Sequence, residues 1–397
     1  MKKSILFILS GPFIFFLMPF IFACKKGNST DKSTSDSTQR TVKPPIDSAA
    51  SIYLAGGRTD SVIAVDAVTG KVKWEKAINS IAGFSPIYSK GFIIVSGTGS
   101  DFSVYGFDTS GNMKWTYLMS NSATCAPVTE DGRVFISDGG SVYALDAQTG
   151  SLLWRFTDGG CSQLAVRNNT LYFSTNTYYI EALDAQNGKK DWEYKCITAA
   201  YPPVAFDDRI YCEAGNMLVL DSKTGQLIND SKGNNGIYEG TVTYNVRYGN
   251  IYVLRNSQTT GVWVTDSVEP STFKFSLYYP TVYDPPSTAP ILEDSMVILP
   301  FGINNAITGE LLEPNFLWGT GTLSVTYLNG ILYCLTDQRD TYDPNLGGHE
   351  HADLYAWDLR ENKKLWQTEF LNGYFINIEA CIVTKSKICH RGALKFE

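Results

Sequence analysis

One short phrase recurs along this chain and restricts its fold more than any other feature. VYALDAQTGSLLWRF at 142–156 has close copies at 62–76, 180–194 and 354–368. Each copy is an alternating apolar strand, an Asp, a turn with a polar residue or Gly, and a second strand with Trp. Aligned on its acidic residue, or on Asn in one copy, the phrase occurs at Asp66, Asp108, Asp146, Asp184, Asp221, Asp266, Asn305 and Asp358. A spacing of roughly 40 residues between strand-rich copies is typical of a β-propeller.

Each part of the phrase has a structural role. An Asp such as Asp146 can accept hydrogen bonds from the following backbone, and Gly150 can take the positive φ that closes the turn. The phrase therefore predicts a hairpin of the third and fourth strands of a blade, with Trp packed between blades. The repeat positions are Asp66, Gly70, Trp74, Trp115, Asp146, Gly150, Trp154, Asp184, Gly188, Trp192, Asp221, Gly225, Asp358 and Trp366, and in three copies Asn229, Lys274 and Glu313 stand in the place of Trp.

A further pair of strands precedes each phrase, as in APVTEDGRVFISD (126–138). This pattern of strand, polar turn and alternating strand predicts an all-β fold of four-stranded antiparallel blades. The returning fourth strands predict eight blades; seven would result if GELLEP (309–314) were not a blade edge. The incomplete segments at 51–65 and 378–397 are expected to pair and close the ring. Either segment could supply the second strand of that blade.

The chain begins with a processing signal. Lys2 and Lys3 precede an apolar run that ends at Ile21-Phe22-Ala23-Cys24. Residues 1–23 resemble a bacterial lipoprotein signal peptide, and the resemblance implies that Cys24 is acylated and becomes the mature N-terminus. An uncleaved membrane anchor is the alternative, because the run is nearly long enough to span a bilayer.

The next residues are expected to form a flexible tether. Residues 24–50 are rich in Ser, Thr, Lys and Asp and have few large apolar side chains, so they cannot bury a core. The propeller is therefore predicted to cover residues 51–397. Charged residues make up 18% of the chain and aromatic residues 13%, as in a packed, strand-rich protein. The net charge of −7 argues against a nucleic-acid partner.

The repeat also resembles a known family. A-L-D-A-x-T-G-x-x-x-W, preceded by P-V-x-x-x-G-x-V, is similar to the repeat of pyrroloquinoline-quinone-type β-propellers. The Trp-Asp pair of WD40 repeats occurs in a single copy of the phrase, at Trp357-Asp358, and their Gly-His pair is absent from the phrase. Quinoprotein dehydrogenases of this fold use an adjacent Cys-Cys pair, which this sequence lacks, and it has no C-x-x-C-H for haem. We therefore expect no cofactor and no catalysis.

The histidines offer a different hypothesis. His349 and His351 lie in an insertion, DQRDTYDPNLGGHEHADLY (337–355), between the second and third strands of one blade, and His390 lies near the end of a second strand in the closing segment. Convergence of these three side chains with nearby Asp residues would suit a Zn²⁺ or similar metal. A solvated loop with ordinary surface histidines is the alternative. As a partner contact, the same insertion offers Asp340, Tyr342, Asp343, His349 and His351.

Two functions fit these features. The first is a membrane-anchored, non-catalytic scaffold at the bacterial envelope, similar to the propeller lipoproteins of the outer-membrane β-barrel assembly machinery. Its partners would be an envelope protein, such as an outer-membrane barrel protein, and the lipid bilayer through Cys24, with the outer membrane as its location. The second is a ligand-binding, metal-binding or quinoprotein-type propeller that uses its top face. The first strands begin with small, apolar or hydroxyl residues, which favours the scaffold.

Overall fold

The fold is seen in a computed structural model. It describes residues 50–397 apart from 56–59, 80, 83, 99–100, 158–160, 233–240, 257–259, 279–289, 300–301, 315–321, 338–341, 344–347, 350, 372–380, 384–387, 391–392 and 396–397. Within these ranges the chain forms strands and turns and no helix. The described part accordingly has no helix of the length and hydropathy needed to cross a membrane. The predicted signal peptide, Cys24 and residues 25–49 of the predicted tether lie outside the described residues. Ala50, the last residue assigned to the tether, is buried in the core, so the ordered chain begins there at the latest.

The blades are antiparallel sheets that follow one another along the chain. Blade 1 begins with β1 (Ser51–Ala55), β2 (Ser61–Asp66) and β3 (Val72–Ala77). Blade 2 contains the two-residue strand β4 (Ile81–Ala82), β5 (Ile87–Ser89), β6 (Phe92–Thr98), β7 (Ser103–Asp108) and β8 (Met113–Leu118). Blade 3 contains β9 (Val128–Glu130), β10 (Arg133–Ser137), β11 (Val142–Asp146) and β12 (Leu152–Phe156). Blade 4 contains β13 (Cys161–Arg167), β14 (Thr170–Thr175), β15 (Tyr179–Asp184) and β16 (Lys190–Lys195).

The second half of the chain repeats this arrangement. Blade 5 contains β17 (Val204–Phe206), β18 (Arg209–Glu213), β19 (Met217–Asp221) and β20 (Leu227–Asp230). Blade 6 contains β21 (Thr241–Arg247), β22 (Asn250–Asn256), β23 (Thr260–Asp266) and β24 (Phe273–Tyr278). Blade 7 contains β25 (Ile291–Glu293), β26 (Met296–Leu299), β27 (Gly302–Asn305) and β28 (Leu311–Pro314). The predicted edge GELLEP is therefore the fourth strand of blade 7.

Blade 8 carries the insertion and leads to the C-terminal strands. It contains β29 (Thr322–Leu328), β30 (Ile331–Asp337), β33 (His351–Asp358) and β34 (Lys363–Leu371), with a small hairpin of β31 (Tyr342–Asp343) and β32 (Gly348–His349) between its second and third strands. Three short strands follow, β35 (Cys381–Val383), β36 (Ile388–His390) and β37 (Ala393–Lys395). The insertion thus lies where the sequence predicts it.

The first strands of the blades form an inner ring. They contact one another in succession from β5 through β9, β13, β17, β21, β25 and β29 to β35, and β35 contacts β5 again. This closed series confirms eight blades. The fourth strands lie at the opposite edge of each sheet, so they form the outer rim.

The two ends of the chain close the ring in blade 1. β1 pairs antiparallel with β35, with Ile52 opposite Ile382. The N-terminal segment therefore supplies the second strand, and the C-terminal segment supplies the first strand, which settles the alternative that the sequence leaves open. Closure by pairing of terminal strands is confirmed.

The C-terminal strands continue past the blade toward the axis. β36 pairs with the inner edge of β35, and β37 pairs with β36. β36 also contacts β29, and β37 contacts β25. The expectation that His390 ends a second strand is therefore wrong. It ends an additional strand inside the inner ring, because the N-terminal strand already holds the second position of blade 1.

The core is divided among the interfaces between blades. Eight clusters of buried apolar side chains each join two neighbouring blades. In blade 3, Ala144 packs toward blade 4 while Tyr143 packs toward blade 2, because successive strand residues point to opposite faces. Ile52 of blade 1 and Tyr333 of blade 8 share one cluster, so the ring is closed by packing as well as by strand pairing.

The Trp of one blade packs on the turn of the next. A Cβ at Gly188 would lie 2.6 Å from the indole of Trp154, and Gly70, Gly111, Gly150 and Gly225 hold the same position relative to the preceding Trp. The indole N–H of Trp154 also donates to the carbonyl of Ala185, at 3.1 Å. The same bond joins Trp366 of blade 8 to Ala67 of blade 1, again across the closure. The turn glycine is thus required by its neighbour as well as by its positive φ.

Candidate protein-binding surface

The outer rim is built from the Asp turns and the fourth strands. In blade 3 the Asp146 carboxylate accepts hydrogen bonds from the backbone N–H groups of Gln148 and Thr149, at 3.0 and 2.8 Å. Asn305 forms the same turn in blade 7 with Ile307 and Thr308. Blade 8 has Asn362 at positive φ in the place of Gly. Each copy of the phrase therefore ends one strand and starts the outermost strand at a defined height.

A β-bulge lies at the same place in each fourth strand. In blade 3, Ala144 is opposite Trp154 and Leu145 is opposite Leu152, so Leu153 is an extra residue without a partner across the pair. The equivalent residues are Lys73, Lys114, Asp191, Ile228, Lys274, Leu312 and Leu365. Bulges on edge strands discourage unwanted sheet-to-sheet pairing. What differs among the blades is the chemistry of the extra residue.

In three blades the bulge residue is a Lys that pairs with the Asp of its own turn. The distances are 3.3 Å for Lys73 to Asp66, 3.0 Å for Lys114 to Asp108 and 2.8 Å for Lys274 to Asp266. Desolvation alone would raise the pKa of Asp66, but the hydrogen bonds from Thr69 and the Lys73 ammonium outweigh it and lower that pKa. A charged bulge residue protects the edge of these blades.

In three other blades the bulge position and the residue before it are both apolar and exposed. Blade 3 has Leu152 and Leu153, blade 5 has Leu227 and Ile228, and blade 7 has Leu311 and Leu312. Their side chains are 39–51% exposed. Exposing two apolar side chains to water on an open strand edge is unfavourable in free energy. Such a pair is typical of a surface that another protein covers. These pairs make the outer rim the candidate binding surface.

Blade 6 corrects the alignment of the Trp position. Phe275, and not Lys274, lies opposite Val264 and packs on Gly309, because the turn after Asp266 is one residue longer. Blade 5 replaces the Trp contact with a hydrogen bond to the next carbonyl along the turn of blade 6. There the Asn229 amide donates to the carbonyl of Val268 at 3.0 Å.

The predicted metal and partner residues lie in the insertion of blade 8 and in the additional strand β36 of the blade 1 sheet. His349 ends β32, His351 begins β33 and His390 ends β36, and the strand directions place all three at the same end of the ring. Asp340 lies outside the described residues, and Tyr342 and Asp343 form β31. Among the side chains that the structure describes, no group of His, Cys, Asp and Glu is arranged to hold a metal. These three histidine side chains are outside that description, so the metal site and the partner contact stay predictions.

Sequence reasoning missed a set of buried tyrosines at the hairpins of the second and third strands. The Tyr143 hydroxyl donates to Asp138 at 2.6 Å, and Asp138 also accepts from the backbone N–H of Ser141 at 2.8 Å. Tyr105 and Asp101 form the equivalent pair in blade 2. The signal was present as Ser-Val-Tyr after an Asp in both blades. These pairs order the hairpins and are structural.

Comparison with known proteins places the fold. An eight-bladed ring with this phrase defines the class of PQQ-like β-propellers. The family model described as outer membrane protein assembly factor BamB matches residues 28–126 and 121–271, which is more than half of the chain. The chain belongs to this family. No curated protein matches it by sequence.

Three solved structures are similar in fold. BamB from Moraxella catarrhalis has a TM-score of 0.54 at 14% identity, over 71% of this chain and 89% of that chain. Apo AztD from Citrobacter koseri has a TM-score of 0.60 at 13% identity, over 85% and 98%. Dihydro-heme d1 dehydrogenase NirN in complex with DHE has a TM-score of 0.61 at 12% identity, over 84% and 75%. At such low identities the similarity concerns the fold alone.

Proposed function

We propose that this protein is a lipid-anchored, non-catalytic scaffold of the bacterial envelope that binds protein partners during outer-membrane protein assembly. Membership of the BamB family supports the process and the compartment. The observation that carries the binding role is the set of exposed apolar pairs on the outer rim of blades 3, 5 and 7. Exposed apolar side chains grouped on one surface are typical of a site that a protein partner covers.

The inner ring gives a second reason to favour a scaffold over an axial ligand site. β36 and β37 extend the sheet of blade 1 inward and contact the first strands of blades 8 and 7. The chain's own backbone thus lies on the axial side, where a ligand-binding propeller gathers its polar groups. The surfaces that remain open to a large partner are the outer rim and the loops at the two ends.

The proposed anchor consists of an acylated Cys24 and the tether at 24–50, and the signal peptide at 1–23 would be removed when Cys24 becomes the N-terminus. A flexible chain of this length has a root-mean-square reach of about 25–30 Å. The propeller would therefore remain near the membrane and still reorient toward a partner. Effective concentration at the membrane then raises the occupancy of weak rim contacts.

Membrane fractionation and in-cell crosslinking test this function. Wild-type protein is expected in the outer-membrane fraction, and crosslinking followed by mass spectrometry is expected to recover outer-membrane barrel proteins or their assembly factors. Cys24→Ala should leave a folded propeller that no longer fractionates with membranes, because the acyl chains are lost. Equal membrane association of Cys24→Ala and wild type would favour the uncleaved anchor. Recovery of no envelope protein would contradict the scaffold.

A further inference from the structure

Three consecutive blades expose apolar side chains at matching positions of the rim. Leu227 and Ile228 lie in blade 5, Val268 and Phe273 in blade 6, and Ile307, Leu311 and Leu312 in blade 7. Val268 and Ile307 occupy the same turn position, two residues after Asp266 and Asn305. We refer to these seven residues and the charged residues beside them as the blade 5–7 rim.

Contacts between blades join this surface into one preformed unit. The Asn229 amide of blade 5 donates to the Val268 carbonyl and to the Glu269 carboxylate of blade 6, both at 3.0 Å. Phe275 of blade 6 packs on Gly309 in the turn of blade 7. A partner would therefore meet a surface that needs little ordering, which lowers the cost of binding.

The charges beside the apolar residues have a predominant sign. Among the described residues, the acids on this rim are Asp221, Asp230, Asp266, Glu269 and Glu310, and the bases are Lys223, Lys232 and Lys274. Lys232 pairs with Asp230 at 3.0 Å and Lys274 pairs with Asp266 at 2.8 Å. These pairs neutralise two acids as well as two bases, and Asp221, Glu269 and Glu310 remain against Lys223. Glu269 and Glu310 are exposed. The apolar stripe is thus bordered by negative charge.

Blade 3 provides an internal comparison. Leu152 and Leu153 occupy the same strand positions as Leu311 and Leu312, with similar exposure. Its charged neighbours are Asp146 in the turn and Arg155, whose guanidinium lies 5.0 Å from the centre of the Tyr143 ring and bonds to Ser141. Thr149 and Ser151 stand at the positions of Glu269 and Glu310, so the pair on blade 3 has the same apolar chemistry without the exposed glutamates.

We infer that the blade 5–7 rim binds an extended protein segment in which apolar and basic side chains alternate. The outer edges of β20, β24 and β28 pair with no other described strand but belong to three separate sheets, so a segment that covers all three blades would cross these edges. Its apolar side chains would cover the seven residues, and its long basic side chains would extend around the segment to Glu269 and Glu310. An anionic membrane is disfavoured because the acidic border repels it. The inference rests on the proposed scaffold function and names the partner segment.

A peptide titration tests the inference on the full lipidated chain in detergent. The probe is a fluorescent peptide of about ten residues that alternates Val and Lys, and the matched probe alternates Val and Glu. Binding of the Val-Lys peptide, measured by fluorescence anisotropy, is expected to weaken about tenfold in Leu311→Ser/Leu312→Ser and in Leu227→Ser/Ile228→Ser. Leu152→Ser/Leu153→Ser is the control and should bind as wild type. Because all six side chains are exposed, the melting temperatures should stay unchanged.

The charge contribution is tested separately. Glu269→Gln/Glu310→Gln is expected to weaken the Val-Lys peptide and to reduce the salt dependence of its binding. The inference is overturned if the Val-Lys peptide fails to bind, if the Val-Glu peptide binds equally well, or if the blade 3 control loses as much affinity. It is also overturned if the Cys24→Ala protein binds anionic phosphatidylglycerol vesicles and the blade 7 double variant abolishes that binding.

Failure of the two proposals can be distinguished. Peptide binding that depends on the blade 5–7 rim, without crosslinked envelope proteins, would contradict the scaffold function and still support the blade 5–7 rim as a binding surface. Crosslinked envelope proteins without rim-specific peptide binding would support the scaffold and contradict this surface.

Discussion

Trp154 shows how one residue couples two blades. Its indole packs on Gly188 of the next blade and donates a hydrogen bond to the carbonyl of Ala185. The ring of Phe135, in its own blade, lies 5.8 Å from it between ring centres. The residue is 9% exposed. Packing and hydrogen bonding thus act at one point, and the same unit recurs at Trp115, Trp192 and Trp366.

The substitution Trp154→Ala should lower the free energy of unfolding by about 3–5 kcal/mol, because it opens a cavity between two blades. Trp154→Phe keeps most of the packing but leaves the Ala185 carbonyl without its donor, so its cost should be about 1–3 kcal/mol. Urea denaturation of both variants measures the difference. A loss below about 1 kcal/mol for Trp154→Ala would contradict the assigned coupling.

At the residue scale the sequence predicted the turn and one of the two constraints that require its glycine. The positive φ of Gly150 follows from local turn chemistry. Its second constraint, the indole of Trp115 2.5 Å from the position of a Cβ, comes from the previous blade. A contact between blades depends on the assembled ring, and local patterning carries no information about it.

The fourth strand is the element in which blades differ most. Its bulge is visible in the sequence as the spacing of eight residues between Asp146 and Trp154, which is one residue out of phase with strict alternation across the hairpin. The turn of blade 6 is one residue longer, and the register of a hairpin depends on its turn. The aromatic position of this blade is therefore Phe275 and not Lys274.

The insertion of blade 8 is the second element with an expected role. β31 and β32 form a hairpin beyond the four strands of the blade, at the end where β30 turns into β33. Deletion of residues 341–350 should leave the melting temperature unchanged, because the hairpin is not part of the blade's sheet. The same deletion is expected to reduce capture of the crosslinked partner, because it removes Tyr342, Asp343 and His349 from the predicted contact.

Thermal melting and quantitative crosslinking measure these two effects. Replacement of 341–350 by a Gly-Ser stretch of equal length is the control for loop closure, because it restores the length and removes the side chains. Undiminished capture with both variants would exclude the insertion as a contact and leave the outer rim.

At the scale of the whole molecule, the number of blades follows from the repeat, and closure follows from the incomplete ends. The sequence does not predict which end of the chain supplies the first and which the second strand of blade 1. The paired residues Ile52 and Ile382 are separated by almost the whole chain. Alternation specifies the faces of a strand and leaves its distant partner undetermined. The extra inner strands β36 and β37 were missed for the same reason.

The closed ring is the claim on which the rim and its proposed role depend. Truncation after residue 383 removes β36 and β37 and keeps the pairing of β1 with β35. Truncation after residue 377 removes β35 as well, and leaves blade 1 without its first strand and the inner edge of β1 open. The matched pair therefore isolates ring closure from the loss of the C-terminal tail.

Thermal unfolding of the two truncated proteins, followed by circular dichroism, tests this claim most directly. The account predicts that the protein ending at residue 383 melts cooperatively within a few degrees of wild type. The protein ending at residue 377 should melt roughly 10 °C lower or more, because the ring loses its strand pairing and part of an interface between blades. Equal melting temperatures for the two truncations would contradict closure by β35.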